Sequence, residues 1–293
     1  MSDHLKGLLL TIVGVLVLSP DSLLVRLIET DQWTLLFWRG SLNALSLTLL
    51  TVALSGRSTF SAFRVVGIAG FFAAVLFTGS TLFFISSLNH TSVANTLVII
   101  SAAPLFAAVF SRLFLNEAIA RRTWVATLVG LLAIALIVSQ SIGQGALVGD
   151  LCAVGTAVCL ASTFVIVRRA RAVSMIPAMA ISGLMVAIVV TPWAAPTAIN
   201  RDDIGLLLLL CVILLPVSIA LITLGPRYLP APEVSLIMLL ETALGPLWVW
   251  LALDEEPAWQ ALVGGGILIA ALAVHSLLAL AYGDNRPASG KLG

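Results

Sequence analysis

Between residues 5 and 280 the chain alternates apolar runs of about twenty residues with short polar or Pro/Gly-rich breaks. A helix rises about 1.5 Å per residue, so roughly 20 apolar residues match a hydrocarbon layer about 30 Å thick. Cutting at the polar clusters predicts ten spanning helices, over 5–28, 33–54, 65–88, 92–115, 124–141, 149–167, 175–193, 204–225, 232–253 and 259–280. The connections between them are short, so no soluble domain is expected.

Charge sorts along this frame. With ten helices and the N-terminus inside, the cytoplasmic segments hold Lys6, Arg57, Arg64, Arg112, Arg121, Arg122, Arg168, Arg169, Arg171, Arg227, Arg286 and Lys291. The outer loops hold only Arg201, while Glu29, Asp31, Asp150, Asp202, Asp203, Asp254, Glu255 and Glu256 fall outside. Retention of Lys and Arg on the cytoplasmic side predicts both termini there. Trp33, Trp193 and Trp259 fall at outer ends and Trp124 at an inner end, the interfacial belt of any such protein. Trp38, Trp248 and Trp250 lie deeper and are weak candidates for stacking on a ligand.

Composition agrees. Apolar residues make up 60% and charged residues 10% of the 293 positions, against roughly 45–50% and 25% in soluble domains. A net charge of +1 gives no reason to expect a nucleic-acid partner. Cys152, Cys159 and Cys211 sit in apolar segments and read as small buried hydrophobes. The N-terminal stretch "MSDHLKGLLLTIVGVLVLSPDS" has one lysine before its core and no A-x-A cleavage pattern, so it reads as a retained first helix.

An internal repeat changes the picture. "APLFAAVFSRLFLNE", from Ala103, aligns with "ETALGPLWVWLALDE", from Glu241, and "WVATLVGLLAIALIV", from Trp124, aligns with "WQALVGGGILIAALA", from Trp259. The expected division is 1–143 and 144–293. Five helices per half is an odd number, so the second half enters the membrane from the opposite side. Inverted repeats of this kind place a substrate site near the midplane and alternate access by rocking one half against the other.

Ionisable side chains inside a bilayer cost roughly 2.5–3.5 kcal/mol on insertion scales and face a cavity or a partner. Asp21, Arg26, Arg39, Glu241 and His275 qualify, with Glu233 nearer a helix end. Asp21 and Arg39 lie at matched depths in helices one and two, roughly 10 Å from the outer ends. They are predicted to pair, with Asn43 one turn beyond Arg39. Arg26 points elsewhere and is expected to snorkel outward. Two roles stay open for the pair: a structural brace, or a gating or proton-linked element. Pro20 frees the carbonyl of Leu16 and predicts a kink or local opening, which Ser19 and Ser22 are placed to satisfy. Glu241, nine residues into helix nine, has no counterpart in helix four, where Ala103 and Pro104 stand. It is a substrate or coupling carboxylate, or a hydrogen-bonded packing residue. His275 reads as a packing residue.

Helices three and four combine Ser80, Thr81, Asn95, Thr96 and Ser101 with Phe83 and Phe84. Neutral polar groups beside aromatic rings suit a small zwitterion or aromatic compound, and they equally suit helix-to-helix hydrogen bonds. Gly264, Gly265, Gly266 and Ala270 permit close helix approach, within the chain or across a dimer, so a monomer and a homodimer both remain open. No H-E-x-x-H, Walker A, G-x-S-x-G or Cys/His metal spacing occurs. No enzyme activity, metal, cofactor or direct ATP drive is therefore expected.

"LNHTSVANTLVIISAAPLFAAVFSRLFLNE" resembles the end of helix three and helix four of the EamA family of the drug/metabolite transporter superfamily, and "LLETALGPLWVWLALDEEP" resembles its second copy in helix nine. The chain is similar in particular to the bacterial branch that exports aromatic and other amino acids and methyl viologen. This resemblance implies an all-α polytopic protein of the bacterial inner membrane, with two inverted five-helix repeats around a central cavity. It implies that helices one, three, four, six, eight and nine line the cavity and that two, five, seven and ten are peripheral. On that expectation Asp21, Ser80, Thr81, Phe83, Phe84, Asn95, Ser101, Thr163 and Glu241 lie on cavity helices, whereas Arg39 and His275 do not. Expected helix breaks are Pro20, Pro104 and Pro246, the last because this chain has Glu241-Thr242 where the family often has Glu-Pro. The expected function is export of amino acids and related small metabolites by alternating access. Two other readings remain: an exchanger of phosphorylated sugars or nucleotide sugars, and a non-transporting intramembrane enzyme or assembly partner.

Overall fold

The computed structural model describes residues 3–115, 146–229 and 231–254, together with Leu132, Trp259, Val263, Gly266 and Ala270. Expected helices five and ten, with Trp124, His275, Gly264 and Gly265, lie outside the described residues apart from those isolated positions. Described residues form helices and turns, without strands. Seven helical runs among them are long and apolar enough to cross a membrane: His4–Leu27, Gln32–Ser55, Gly67–His90, Val93–Leu115, Leu147–Arg169, Asp203–Tyr228 and Glu233–Leu253. Ile176–Val190 is a shorter apolar helix.

Several runs are interrupted. The first consists of α1 (Asp3–Leu18) and α2 (Asp21–Leu27), separated at Ser19-Pro20, where proline has no N–H to donate. An unbroken α3 (Gln32–Ser55) starts at Asp31, whose carboxylate accepts the backbone N–H groups of Trp33 and Thr34, and ends at Gly56 with φ 53°. After the short α4 (Thr59–Val65) comes α5 (Gly67–His90). Expected helix four is two pieces, α6 (Val93–Ile100) and α7 (Ala103–Leu115), and the interruption at Ser101-Ala102 precedes Pro104, which sits in the first turn of α7.

In the second half α8 (Leu147–Arg169) is continuous and α9 spans Ile176–Val190. Then α10 (Asp203–Leu208) passes through a π-helical turn, Leu209–Leu214, into α11 (Leu215–Tyr228). Pro216, two positions after the end of that turn, has no N–H to donate to it. Expected helix nine is likewise divided, into α12 (Ala231–Ile237) and α13 (Leu239–Leu253), with Met238 between them. Pro246 is therefore not the break. It lies inside α13, eight positions after Met238.

Polar and apolar surfaces are arranged inside-out relative to a soluble domain. Leu49, Phe60, Ile68, Phe71, Phe72, Leu113, Phe114, Leu184 and Leu251 are all exposed, while Asp21, Ser22, Arg39, Asn43 and Glu241 are buried. Such a surface is stable against lipid, where an isolated polar group is costly and an exposed leucine is not.

Close approach of backbones sets the packing. A Cβ on Gly40 of α3 would stand 2.6 Å from the carbonyl oxygen of Gly183 of α9, and one on Gly183 would stand 2.8 Å from that of Gly40. A Cβ on Gly14 of α1 would stand 2.8 Å from the Ile222 side chain of α11 and 3.2 Å from its backbone nitrogen, and Gly155 of α8 lies under the ring of Phe83. Thr78 and Ser182 join α5 to α9 through hydroxyls 3.0 Å apart. Four elements, α3, α5, α8 and α9, thereby hold a central space open between them and the interrupted helices.

Candidate functional site

That space is a cavity of about 110 Å³. A single water needs roughly 10–15 Å³ on the same kind of measure, so several waters or a small solute fit. Its wall includes Asp21 of α2, Arg39, Gly40 and Asn43 of α3, and Phe77, Ser80, Thr81 and Phe84 of α5. Opposite stand Thr156, Thr163 and Phe164 of α8, Met179, Ser182 and Gly183 of α9, Thr223 of α11 and Glu241 of α13. A recess of about 10 Å³ adjoins it, lined by Ser101, Ser235, Glu241 and Thr242 among others.

Asp21 and Arg39 form a two-pronged ion pair: Nη1 donates to Oδ1 at 2.5 Å and Nη2 to Oδ2 at 2.7 Å. Both residues are buried. Asp21 is able to face Arg39 because the Pro20 break restarts the helix at that residue, making it the first residue of α2. On the far side, the Arg39 guanidinium lies 5.8 Å from the centre of the Phe84 ring, within cation–π range. The cation is thus closed on one side by a carboxylate and on another by an aromatic face.

The helix breaks are satisfied locally. Ser19 donates its hydroxyl to the Leu16 carbonyl at 2.9 Å, and Trp248 donates its indole N–H to the Ser19 oxygen at 3.1 Å. Ser101 donates to the Val98 carbonyl at 2.5 Å. Thr242 reaches across from α13 to the Leu97 carbonyl at 3.3 Å, so the two divided helices meet at their interruptions. In the alignment of the two halves Ile100 corresponds to Met238, which puts the interruptions at nearly the same place in each.

Of the expected site residues, the structure brings Asp21, Arg39, Ser80, Thr81, Phe84, Thr163 and Glu241 together around the cavity. Others lie elsewhere. Phe83 is 41% exposed and packs on Gly155, facing away from the cavity. Asn95 sits at the start of α6, its amide directed to the Thr91 hydroxyl at 3.4 Å. Ser101 lines only the small recess. Arg39 was expected off the cavity, and helices two and seven at the periphery. The Gly40–Gly183 approach instead pulls α3 and α9 inward, so that both line it.

Arg26 reaches the helix ends, not the cavity. Half-buried, it donates to the Thr91 carbonyl at 3.0 Å, joining α2 to the α5–α6 connection. Nor are the deeper tryptophans in the cavity wall: Trp38 donates to the Pro196 carbonyl at 3.1 Å, Trp248 holds Ser19, and Trp250 is exposed. Sequence reasoning missed Thr156, Ser182 and Thr223. The small-residue pattern "SG" at Ser182-Gly183 was the available signal, since a glycine beside a hydroxyl permits close contact and a hydrogen bond at one crossing.

A family model described as "EamA-like transporter family" matches the chain twice, over residues 5–139 and 147–277. The chain belongs to the EamA-like transporter family. As an EamA-like transporter it is a multi-pass membrane protein whose family members move small molecules, and the lipid-facing apolar surface described above agrees with that. In fold this EamA-like transporter is similar to a protein of known crystal structure, with a TM-score of 0.72 at 17% sequence identity, over 94% of this chain and 99% of the other. No curated protein matches it.

Proposed function

We propose that this chain exports amino acids, aromatic ones among them, and related small metabolites across the bacterial inner membrane by alternating access, with both termini cytoplasmic. One observation carries the proposal: a central cavity walled by phenylalanines and aliphatic side chains holds a buried ion pair, a carboxylate and several hydroxyls where two divided helices meet. Divided helices at corresponding positions of two halves are a pointer to a transport site. Two inverted five-helix repeats, 1–143 and 144–293, are the proposed framework, supported by the double match of the family model and by the charge sorting of the loops.

In this reading Ser80, Thr81, Phe84, Thr163 and Glu241 touch the substrate, and Ser101 stabilises the helix break beside it. Asp21 and Arg39 brace the wall. An exchanger of phosphorylated sugars fits less well, because the one cation among the described lining residues is already engaged by Asp21 and Phe84.

Purified protein in proteoliposomes, offered amino acids, sugar phosphates and nucleotide sugars with and without a pH gradient, tests the proposal. Saturable movement of amino acids supports it; movement of sugar phosphates alone overturns it. Comparing the two gradient conditions shows whether protons are coupled.

A further inference from the structure

Among the described residues that line the cavity, nearly every donor is already committed. Both terminal nitrogens of Arg39 are bound to Asp21. Thr81, Thr156 and Thr163 each donate to the carbonyl four residues earlier, to Phe77, Cys152 and Cys159 at 3.0, 3.0 and 2.9 Å. Thr78 donates to Ala74 at 2.8 Å, which leaves Ser182 to donate to the Thr78 oxygen. A hydroxyl whose proton is turned into its own helix presents only lone pairs to the cavity. Ser80, Thr223 and the Asn43 amide remain as neutral donors.

Acceptor capacity is different. Glu241 is 8% exposed, lines both the cavity and the adjoining recess, and accepts no hydrogen bond from any described residue through its carboxylate. The cavity's charges therefore divide into a closed pair, Asp21 with Arg39, and one open carboxylate. A buried carboxyl group without a partner either holds a proton and is neutral or is ionised against a counter-charge, and a ligand's ammonium group supplies the second.

Resting on the transport reading above, we propose that this site selects its substrate by a cationic amino group, with Glu241 as its counter-ion. The substrate class is primary amines carrying an apolar or aromatic body. An amino acid is accepted for its ammonium group, and its α-carboxylate is not required. With the ammonium on Glu241 and Arg39 on Asp21, the occupied cavity is electrically neutral. Phe77, Phe84, Phe164 and Met179 supply the apolar wall for the rest of the molecule. An anionic head, by contrast, would meet only neutral donors.

Titration calorimetry on the purified full chain in detergent tests this, with five probes that share one ring: 2-phenylethylamine, phenylalaninamide, phenylalanine, N-acetylphenylalanine and 3-phenylpropionate. The first three bind, and the two without an ammonium do not. Glu241→Gln weakens 2-phenylethylamine at least about tenfold, the scale of one charge-assisted hydrogen bond, and Glu241→Asp retains part of the affinity. Glu233→Gln, which removes a carboxylate paired with His4 at 3.1 Å outside the cavity, leaves binding unchanged. Circular dichroism and thermal unfolding establish that each variant is folded. Equal binding of 3-phenylpropionate, an unaltered Glu241→Gln, or folded wild-type protein that binds no amine would each overturn the proposal. Amino-acid movement in proteoliposomes that survives N-acetylation removes this inference and leaves the transport reading standing; sugar-phosphate movement without any amine transport removes both.

Discussion

Trp248 and Ser19 are 229 positions apart in the chain, yet the indole N–H of the first donates to the hydroxyl of the second at 3.1 Å. Ser19 passes its own proton to the Leu16 carbonyl, the group that Pro20 leaves without a backbone donor. A side chain of α13 thus holds the break between α1 and α2, and that break points Asp21 at Arg39. Trp248→Phe keeps the ring and removes the donor. It should lower unfolding stability by about 1 kcal/mol, the net worth of one hydrogen bond. Ser19→Ala leaves a carbonyl unsatisfied and should cost more, about 1–3 kcal/mol. Thermal unfolding in detergent of the two single variants and the double variant should show a non-additive effect, because both act on one chain of bonds.

The Asp21–Arg39 pair predicts an asymmetry between single and double replacement. Asp21→Asn strands a buried guanidinium, and removing one member of a buried pair typically costs about 3–5 kcal/mol. Replacing both, as Asp21→Leu with Arg39→Met, leaves no charge unpaired. Its melting temperature should lie above that of Asp21→Asn. Equal or lower stability of the double variant would show that the pair contributes more than mutual neutralisation.

Among the described residues, span positions were legible in the sequence because a twenty-residue apolar run has few physical alternatives. Which face of each helix looks inward was much less so. Phe83 and Phe84 are adjacent and chemically alike, yet one faces outward and the other lines the cavity. In a helix apolar all round, no polar stripe marks the interior. The Asp21–Arg39 geometry followed from matched depth and opposite charge, both of which are sequence properties. Placement of α3 and α9 on the cavity depended on Gly40 meeting Gly183, a contact between residues 143 positions apart. The break at Met238 carries no proline or glycine of its own, so nothing local announced it, and Pro246, the conspicuous residue, sits in an unbroken helix.

Asp31 predicts a pH dependence at the N-terminal end of α3. Burial works against its charge, but the hydroxyl and backbone N–H of Thr34 and the N–H of Trp33 together outweigh it and hold the carboxyl below its ordinary 3.8. A lowered folded value means that the charged cap stabilises the folded protein above the ordinary carboxylate range. That contribution disappears as pH falls through the folded value. Asp31→Ala should lose about 1 kcal/mol at pH near 7, as for other N-cap removals, and Asp31→Asn should lose less. Unfolding midpoints of wild type and Asp31→Asn, compared from neutral pH downward, should converge below 3.8; a gap that persists there would assign the effect to shape and not to charge.

Gly183→Ala tests how the cavity is held open. The added Cβ would stand 2.8 Å from the Gly40 carbonyl oxygen, 2.9 Å from the Ala44 nitrogen and 3.2 Å from the Ala44 Cα, all backbone. A flexible side chain could swing away, but backbone atoms of two packed helices move only if the helices separate. Overpacking of this kind costs typically about 1–3 kcal/mol. Separation of α3 from α9 also shifts Arg39 and Asn43 relative to Ser182, since all three line the same space. Gly183→Ala should therefore lower both the melting temperature and the rate of solute movement in proteoliposomes. Gly205→Ala is the control: a Cβ there meets nothing within 4 Å, and in a helix interior alanine is favoured over glycine by up to about 1 kcal/mol. If Gly183→Ala unfolded at the wild-type temperature and moved solute at the wild-type rate, close approach of these two backbones would not be what shapes the cavity.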